Sequence, residues 1–322
     1  MEGKRETVLV TGAAGFIGFH LSRKLLEQGS RVVGVDNLNP YYDVNLKKAR
    51  LDILRPHEDF IFYREDIRDF GALSRIWDEN GVNVVCNLAA QAGVRHSLKD
   101  PFSYQKSNLE GFLNLLELAR HRGVRNFVYA SSSSVYGSNK KVPFSVEDRV
   151  DTPVSLYAAT KKANELMAHA YHHLYGFPCS GLRYFTVYGP WGRPDMALFL
   201  FTDAILNGRP INVYNHGRMK RDFTYIDDIV AGTVAAIRRP MDYEIYNLGN
   251  SNTVDLMDFI GALEEELGMR AEKNMLPMQP GDVAETYADI AKSRELLGFD
   301  PKTPLREGIR RFVAWYREYY GV

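Results

Sequence analysis

The architecture of this 322-residue chain is set by the stretch Thr7-Val-Leu-Val-Thr-Gly-Ala-Ala-Gly-Phe-Ile-Gly18. Its apolar beginning predicts a strand over Thr7–Thr11, and the apolar spacing after the glycines predicts a helix over Phe16–Gln28. Three glycines, three residues apart, separate these elements, and glycines there let backbone N–H groups approach a pyrophosphate at the helix N-terminus. A tight turn alone would also explain such a triplet, so its interpretation depends on the next strands of the chain.

Two acids stand at the ends of the next predicted strands. Asp36 ends a strand over Arg31–Asp36, about twenty residues after the glycines, where a carboxylate can hydrogen-bond adenosine ribose hydroxyls and repel a 2′-phosphate. This position favours NAD over NADP, with a plain turn residue as the alternative. Asp66 ends a third strand and can reach the adenine, although a structural role for this acid stays open.

Strand and helix signals keep alternating through the first half of the chain. This alternation predicts the α/β class with a doubly wound parallel sheet that is covered by helices on both faces. The further predicted strands are Asp59–Tyr63, Val82–Leu88, Arg125–Ala130 and Cys179–Phe185, and the further helices are Phe70–Asn80, Pro101–Arg122 and Leu156–Tyr175. Beyond Tyr188 the elements become shorter and mixed. We therefore expect a cofactor-binding domain over 1–186 and a smaller mixed α/β substrate-binding lobe over 187–322, with some segments returning to the first domain.

Tyr157 and Lys161 lie four residues apart on the predicted helix Leu156–Tyr175 and therefore share one of its faces. A phenol is a poor base because its pKa is about 10, but an ammonium beside it favours the phenolate. A serine hydroxyl from the run 131–134 can hydrogen-bond the same substrate oxygen. Together these groups can move a proton on and off a sugar or alcohol hydroxyl. As an isolated pair they would equally fit a packed tyrosine and a solvated lysine.

The composition is that of an ordinary globular protein, with 45% hydrophobic and 25% charged residues. Forty basic residues balance forty acidic ones, which gives no sign of a nucleic-acid or anionic-membrane partner. Cys86, Cys179 and the eight histidines fit no metal or redox spacing, so we expect no metal and a reducing compartment. We expect a cytoplasmic protein, because no apolar run is long enough for a membrane span and the charged segment Met1–Thr7 lacks a signal-peptide layout.

The chain resembles the extended short-chain dehydrogenase/reductase family, and in particular its nucleotide-sugar epimerases. The resemblance rests on the glycine triplet, Asp36, Asn87-Leu-Ala-Ala90, the serine run, the Tyr157/Lys161 pair, Arg183-Tyr-Phe-Thr-Val-Tyr-Gly-Pro190 and Arg221-Asp-Phe-Thr-Tyr-Ile-Asp-Asp228. It implies a Rossmann-type fold with bound NAD and a catalytic trio of Ser132, Tyr157 and Lys161, with the neighbouring serines as alternatives. The implied NAD contacts are Gly12, Gly15, Phe16, Ile17, Gly18, Asp36, Asn37, Asp66, Ile67, Leu88, Ala89, Ala90, Tyr157, Lys161 and Tyr184.

Two features within the family indicate the sugar. Dehydratases and UDP-glucuronate decarboxylases carry an acid just before Val-Tyr-Gly, where this chain has Ser133 and Ser134. The segment Gly189–Ala197 resembles that of the UDP-glucuronate 4-epimerases, and its Arg193 can clamp a sugar carboxylate through paired N–H bonds. The implied activity is NAD-dependent C4 epimerisation of UDP-glucuronate to UDP-galacturonate through a 4-keto intermediate. The alternatives are a UDP-glucose/UDP-galactose 4-epimerase, a UDP-glucuronate decarboxylase and a non-catalytic NAD-binding protein.

The resemblance also implies the remaining contacts of a UDP-sugar and a homodimer. The implied substrate residues are Arg95, Ser133, Ser134, Thr186, Arg193, Tyr214, Arg218, Arg221 and Asp282. Relatives pair through the helices that match residues 101–122 and 156–175. The candidate apolar contacts, unless they face the sheet instead, are Tyr104, Phe112, Leu115 and Leu116.

Overall fold

The computed structural model describes residues 6–279 and 282–322, so the charged residues 1–5 at the start of the chain lie outside it. Its strands, numbered in chain order, are β1 Thr7–Thr11, β2 Arg31–Val35, β3 Phe60–Tyr63, β4 Val84–Asn87, β5 Asn126–Ser132, β6 Cys179–Tyr184, β7 Thr186–Tyr188, β8 Ile211–Val213, β9 Lys220–Arg221, β10 Phe223–Tyr225, β11 Tyr243–Leu248, β12 Val254–Asp255 and β13 Lys273–Met275.

The helices are numbered in the same chain order. They are α1 Phe16–Glu27, α2 Val44–Leu54, α3 Phe70–Asn80, α4 His96–Lys99, α5 Pro101–Tyr104, α6 Gly111–Arg122, α7 Leu156–Tyr175, α8 Ala197–Leu206, α9 Ile226–Arg238, α10 Leu256–Leu267, α11 Ala291–Leu297 and α12 Leu305–Tyr320. A π-helical segment, Gln105–Glu110, joins α5 to α6. Short 3₁₀ turns lie at Ser133–Tyr136 and Tyr214–Gly217.

A seven-stranded sheet in the order β3-β2-β1-β4-β5-β6-β11 forms the centre of the protein, and all of its pairings are parallel. The predicted doubly wound Rossmann-type fold is thereby confirmed. The last strand, β11, comes from well beyond residue 186 and pairs with β6. The division of the chain into domains at residue 186 stays a prediction.

Helices cover both faces of the sheet because its strands are apolar on both sides. In β1, Val8 and Val10 join one buried cluster, whereas Leu9 joins the cluster on the opposite face. The first cluster is continuous with the small lobe formed by β7–β10, β12, β13, α8, α10 and α12. Trp191 and Trp315 pack at 5.2 Å between ring centres within this continuous core. A cleft lies between the sheet's carboxyl edge and the small lobe.

The structure corrects the predicted apolar contacts of a dimer. The four candidates are buried inside the chain with at most 1% exposure. Phe112, Leu115 and Leu116 belong to the cluster on one face of the sheet, and the Tyr104 hydroxyl donates to the Ala92 and Gly93 carbonyls. Other apolar residues of the same helical layer are exposed instead, namely Leu98, Phe102, Leu113, Leu166 and Leu174. Within residues 6–279 and 282–322, no helix combines the length and apolar character needed to cross a bilayer.

Candidate active site

The cleft runs along the carboxyl ends of β1–β6, where open α/β sheets bind their ligands. Its volume is about 1060 Å³, at the upper limit of the roughly 300–1,000 Å³ of single small-molecule pockets. The lining includes every predicted NAD-contact residue, the predicted catalytic trio and all predicted substrate residues except Arg218. The cleft therefore has room and lining for a dinucleotide and a second ligand.

The glycine loop lets the backbone come close to a ligand. A Cβ atom on Gly18 would lie 2.1 Å from the Gly12 carbonyl oxygen, and one on Gly12 would lie 2.9 Å from the Ala89 nitrogen. Helix α1 begins after Gly15 without a side-chain cap, so its first N–H groups are available to an anion. This cradle fits the pyrophosphate of a dinucleotide such as NAD.

Asp36 is buried behind this loop and holds it in place. Its carboxylate accepts hydrogen bonds from the Ala14 nitrogen at 3.2 Å and the Leu38 nitrogen at 2.8 Å. The ammonium of Lys47, on α2, lies 3.8 Å from the same carboxylate and also lines the cleft. Lys47 was not predicted, because a buried lysine in a polar-looking segment gives no signal in the sequence.

Asp66 lines the cleft, but its carboxylate is held by its own neighbours. Arg68 donates two hydrogen bonds to it at 2.9 and 2.8 Å, and the Asn37 amide donates a third at 2.8 Å. Burial alone would raise the pKa of Asp66, but the hydrogen bonds from Arg68 outweigh this effect and the pKa is lowered. Asp66 is therefore ionised and held in place at the cleft, and its contact with the adenine stays a prediction.

Tyr157, Ser132 and Lys161 meet at the middle of the cleft. Desolvation raises the pKa of Tyr157, while a hydrogen bond with Ser132 and the charge of Arg193 act in the opposite direction. Lys161 is buried, donates to the Ala130 carbonyl at 2.7 Å, and has a pKa lowered to about 8 by desolvation. This differs from the expectation that Lys161 lowers the pKa of the phenol, because the ammonium is directed at a backbone carbonyl.

Ser131 differs from Ser132 and Ser134 in its hydrogen bonds. Ser131 is buried and its hydroxyl donates to Glu165 at 2.7 Å. The Ser132 oxygen accepts from the Ser134 nitrogen at 3.2 Å and the Ser134 hydroxyl at 2.9 Å. Because Ser132 is the acceptor in both bonds, its own proton is free to point at Tyr157 or at a substrate oxygen.

Arg193 faces the cleft in a fixed ion pair with an acid that the sequence analysis did not select. Its Nε and Nη2 donate to Asp195 at 3.0 and 2.6 Å, and the Tyr41 hydroxyl donates to the same carboxylate at 3.0 Å. The Arg193-x-Asp195 spacing was a usable signal, because a cation and an anion two positions apart in a loop can reach each other. Tyr41 gave none, because its partner lies 154 positions away.

Charged and aromatic residues line the end of the cleft nearest the small lobe. Arg95 pairs with Asp282 at 3.1 Å and stacks over Tyr214 at 4.7 Å, while Arg221 donates to the Ala284 carbonyl at 3.1 Å. The prediction for Arg218 is corrected: its side chain is exposed and does not line the cleft. The turn before it places Asn215 and His216 in left-handed conformations.

No group of three or more histidine, cysteine or carboxylate side chains suited to a metal ion occurs in the part of the chain that the structure describes. A Rossmann-type sheet with a glycine cradle and a Ser/Tyr/Lys site defines a class of NAD-dependent enzymes that act on hydroxyl and carbonyl carbons. Residues 8–249 match the NAD dependent epimerase/dehydratase family, and the chain belongs to this family. The predicted family is therefore confirmed.

Three similar proteins narrow the comparison. A probable UDP-glucuronate 4-epimerase of Rhizobium meliloti is 47% identical, over 97% of each chain. UDP-glucuronate 4-epimerase 4 of Arabidopsis thaliana is 48% identical, over 98% of this chain and 76% of its own. The crystal structure of UDP-glucuronic acid 4-epimerase from Bacillus cereus, in complex with UDP-glucuronic acid and NAD, superimposes with a TM-score of 0.92 at 38% identity, covering 98% of this chain and 100% of that one.

Proposed function

We propose that this protein is an NAD-dependent 4-epimerase that interconverts UDP-glucuronate and UDP-galacturonate. One observation carries the choice of a uronic acid: Arg193 lines the same cleft as Tyr157, close enough for its charge to act on the phenol. A group that binds a carboxylate thus stands beside a group that transfers a proton. The similar proteins described above are named as UDP-glucuronate 4-epimerases, which supports the same substrate.

The residues that would hold NAD are those of the glycine loop, Asp36 and the strand ends that line the cleft. When bound, NAD supplies a hydride acceptor and donor for the sugar C4. The charge of Arg193 and the hydrogen bond from Ser132 favour the phenolate of Tyr157, which then removes the proton from the C4 hydroxyl. The Ser132 hydroxyl can hydrogen-bond the same substrate oxygen. After the 4-keto sugar turns over in the cleft, Tyr157 returns the proton to the oxygen. Lys161, which is buried and cationic, would hold the nicotinamide ribose of NAD.

Control of the carboxylate is the particular demand of this substrate. A 4-keto uronic acid is a β-keto acid, which loses CO2 readily when its carboxylate is aligned with the carbonyl π-system. Arg193 would hold that carboxylate by charge-assisted hydrogen bonds, with Ser133 and Ser134 as further donors at the lining of the cleft. No acid stands at these two serine positions to repel the substrate.

The nucleotide would lie at the end of the cleft lined by Arg95, Tyr214, Arg221 and Asp282. Desolvation lowers the pKa of Arg221, and the positive charge of Arg95 acts in the same direction while Asp282 opposes it. Two arginines that face one acid leave a net positive charge, which suits a diphosphate. Thr186 also lines the cleft and is a candidate contact of the nucleotide.

We also propose that two copies pair through the exposed apolar side chains of α4–α7. Phe102 is 73% exposed and Leu166 60% exposed, which is unusual for large apolar residues that cluster on one surface. Light scattering on Phe102→Glu and Leu166→Glu should give a monomer where the parent gives a dimer, while Ile53→Glu on α2 should not. A parent protein of monomer mass would refute this assembly.

Both cysteines are free and buried, which is consistent with a reducing compartment such as the cytoplasm.

The experiment that tests the function uses purified protein with UDP-glucuronate and no added cofactor, followed by NMR of the anomeric region. We expect UDP-galacturonate to form and Tyr157→Phe to abolish its formation. UDP-pentose as the main product would instead identify a decarboxylase. If UDP-glucuronate does not react even with added NAD, UDP-galactose is tested next. Turnover of UDP-galactose alone would show that the substrate is a neutral sugar and would refute the role of Arg193.

A further inference from the structure

We propose that Asp195, held by Tyr41, is a positioning residue that fixes the guanidinium plane of Arg193, so that the substrate epimerises instead of losing CO2. This inference rests on the proposed function and names the residues that control its side reaction. Neither Asp195 nor Tyr41 needs to touch the reacting atoms for this role.

The hydrogen bonds of Arg193 leave one defined edge free. Asp195 accepts from Nε at 3.0 Å and from Nη2 at 2.6 Å, which occupies one side of the planar guanidinium. The structure records no hydrogen bond from Nη1 to the described residues, and Nη2 has a second proton. The edge formed by Nη1 and Nη2 matches a second carboxylate in a bidentate arrangement, and Arg193 keeps 23% side-chain exposure in the cleft.

Asp195 is itself fixed from the other side of the cleft. The Tyr41 hydroxyl, in the loop after β2, donates to its Oδ2 at 3.0 Å. Burial and the charge of Asp195 raise the pKa of Tyr41 to about 12, so the phenol stays protonated and remains a donor at neutral pH. Burial alone would raise the pKa of Asp195, but the charge and hydrogen bonds of Arg193 outweigh this effect and lower it. The pair is therefore ionised and oriented.

The backbone that carries Arg193 is held as firmly as its side chain. Three successive carbonyls of the loop accept hydrogen bonds from the first lobe: Pro190 from His20 at 2.9 Å, and Trp191 and Gly192 from Arg50 at 2.6 and 3.3 Å. Arg50 is fully buried and also donates to the Ala14 carbonyl of the glycine loop at 2.8 Å. Both the backbone and the guanidinium of Arg193 are therefore held by hydrogen bonds, unlike those of an ordinary arginine in a surface loop.

The charge balance distinguishes orientation from attraction. Arg193 and Asp195 together carry no net charge, so an arginine selected only to attract an anion would be better without this acid. Replacing Asp195 by Asn therefore strengthens the attraction for a uronate and loosens the guanidinium plane. We expect the KM for UDP-glucuronate to stay the same or fall, whereas the control of the intermediate becomes worse.

The side reaction is balanced without any further reagent. In the 4-keto uronate the C5–C6 bond breaks and CO2 leaves. The electron pair of that bond forms an enolate over C5 and the C4 carbonyl, and a proton from water then adds at C5. The hydride removed from C4 in the first step then returns to C4, and Tyr157 returns the proton to the C4 oxygen. The product is a UDP-pentose, which NMR separates from UDP-galacturonate.

The test compares Asp195→Asn and Tyr41→Phe with the parent protein in incubations with UDP-glucuronate. The control is Asp151→Asn, because Arg149 and Asp151 form an Arg-x-Asp pair of the same spacing on the exposed surface. The ratio of UDP-pentose to UDP-galacturonate should rise about tenfold in Asp195→Asn, as for loss of a charge-assisted hydrogen-bond pair, and less in Tyr41→Phe. Asp151→Asn should keep the parent ratio.

An unchanged product ratio in active Asp195→Asn would overturn the inference. If Asp195→Asn does not fold, Tyr41→Phe decides alone, because it removes one hydroxyl and keeps the ring packing on His96. A parent protein that makes no UDP-galacturonate would refute the proposed function itself, and this outcome is visible before any variant is measured.

Discussion

Glu165 and Arg183 form an ion pair inside the protein, with Nε 2.8 Å from Oε1 and Nη2 2.9 Å from Oε2. Glu165 also accepts a hydrogen bond from the Ser131 hydroxyl at 2.7 Å. Glu165 stands on α7 one turn after Lys161, so its hydrogen bonds with Ser131 and Arg183 tie the helix that carries the proposed catalytic residues to strands β5 and β6. The position of Tyr157 relative to the serines depends on this tie.

Glu165→Gln should destabilise the protein strongly. The change leaves the guanidinium of Arg183 buried without a counter-charge, which costs about 3–5 kcal/mol in the free energy of unfolding. Urea unfolding followed by circular dichroism measures the loss. Asp52→Asn removes a comparable pair on the surface, with Arg55, and should cost at most about 1 kcal/mol. Equal losses in the two variants would mean that burial of the Glu165 pair is irrelevant to stability.

Gly18→Ala should remove the cofactor from the protein. A Cβ there would lie 2.1 Å from the Gly12 carbonyl oxygen, so the cradle must open. The absorbance and mass of the released dinucleotide after denaturation report its loss. Gly261→Ala is the control, because no atom lies within 4 Å of its Cβ and a helix-interior alanine should add about 0.5–1 kcal/mol. A fully loaded Gly18→Ala protein would show that the loop does not carry the pyrophosphate.

The sheet and its cradle were readable from the sequence because their signals are local. Apolar runs marked the strands, and glycine spacing marked the turn. Helix α2 was not predicted, because Lys47 and Arg50 lie on its buried face and disguise the apolar stripe. Two of the groups that accept hydrogen bonds from Arg50 are the carbonyls of residues 191 and 192, and no local pattern predicts a partner 141 positions away.

The helical layer of α5 and α6 shows a second limit of the same kind. Phe112 and Leu113 are adjacent and both apolar, yet the first is buried against the sheet and the second is 39% exposed. Apolar residues stand next to each other in this helix, so composition alone does not say which of them meets the sheet. The position of the glycine loop, by contrast, follows from the sequence, because the loop comes directly after strand β1 and so lies at the carboxyl edge of the sheet.

Arg193→Leu should reduce turnover of UDP-glucuronate far more than it reduces affinity for UDP. The variant removes the group that holds the carboxylate and leaves the residues near Arg221 unchanged. Loss of a charged hydrogen-bond pair corresponds to at least about tenfold in kcat/KM. Calorimetry with UDP and an NMR rate with UDP-glucuronate measure the two effects, and Arg149→Leu on the exposed surface should change neither. Undiminished turnover in Arg193→Leu would rule out its contact with the carboxylate.

The histidine that anchors the Arg193 loop should make the protein sensitive to mild acid. Burial lowers the pKa of His20 from 6.5 to about 3, so the folded ring stays neutral and its Nε2 donates to the Pro190 carbonyl. In the unfolded chain the same ring binds a proton below pH 6.5. Acid therefore stabilises the unfolded state, and the contribution of a neutral His20 is lost as the pH falls from 6.5 towards 3.

His20→Gln should flatten this part of the pH profile, because glutamine can still donate to the carbonyl and does not titrate. Between pH 6.5 and pH 5 the parent should lose about 1.5–2 kcal/mol more of its unfolding free energy than the variant does. Urea midpoints at several pH values give the two curves, and His57→Gln, at an exposed position, should behave like the parent. Parallel curves for the parent and His20→Gln would mean that His20 takes up a proton as readily in the folded protein as in the unfolded chain. That outcome would refute the prediction.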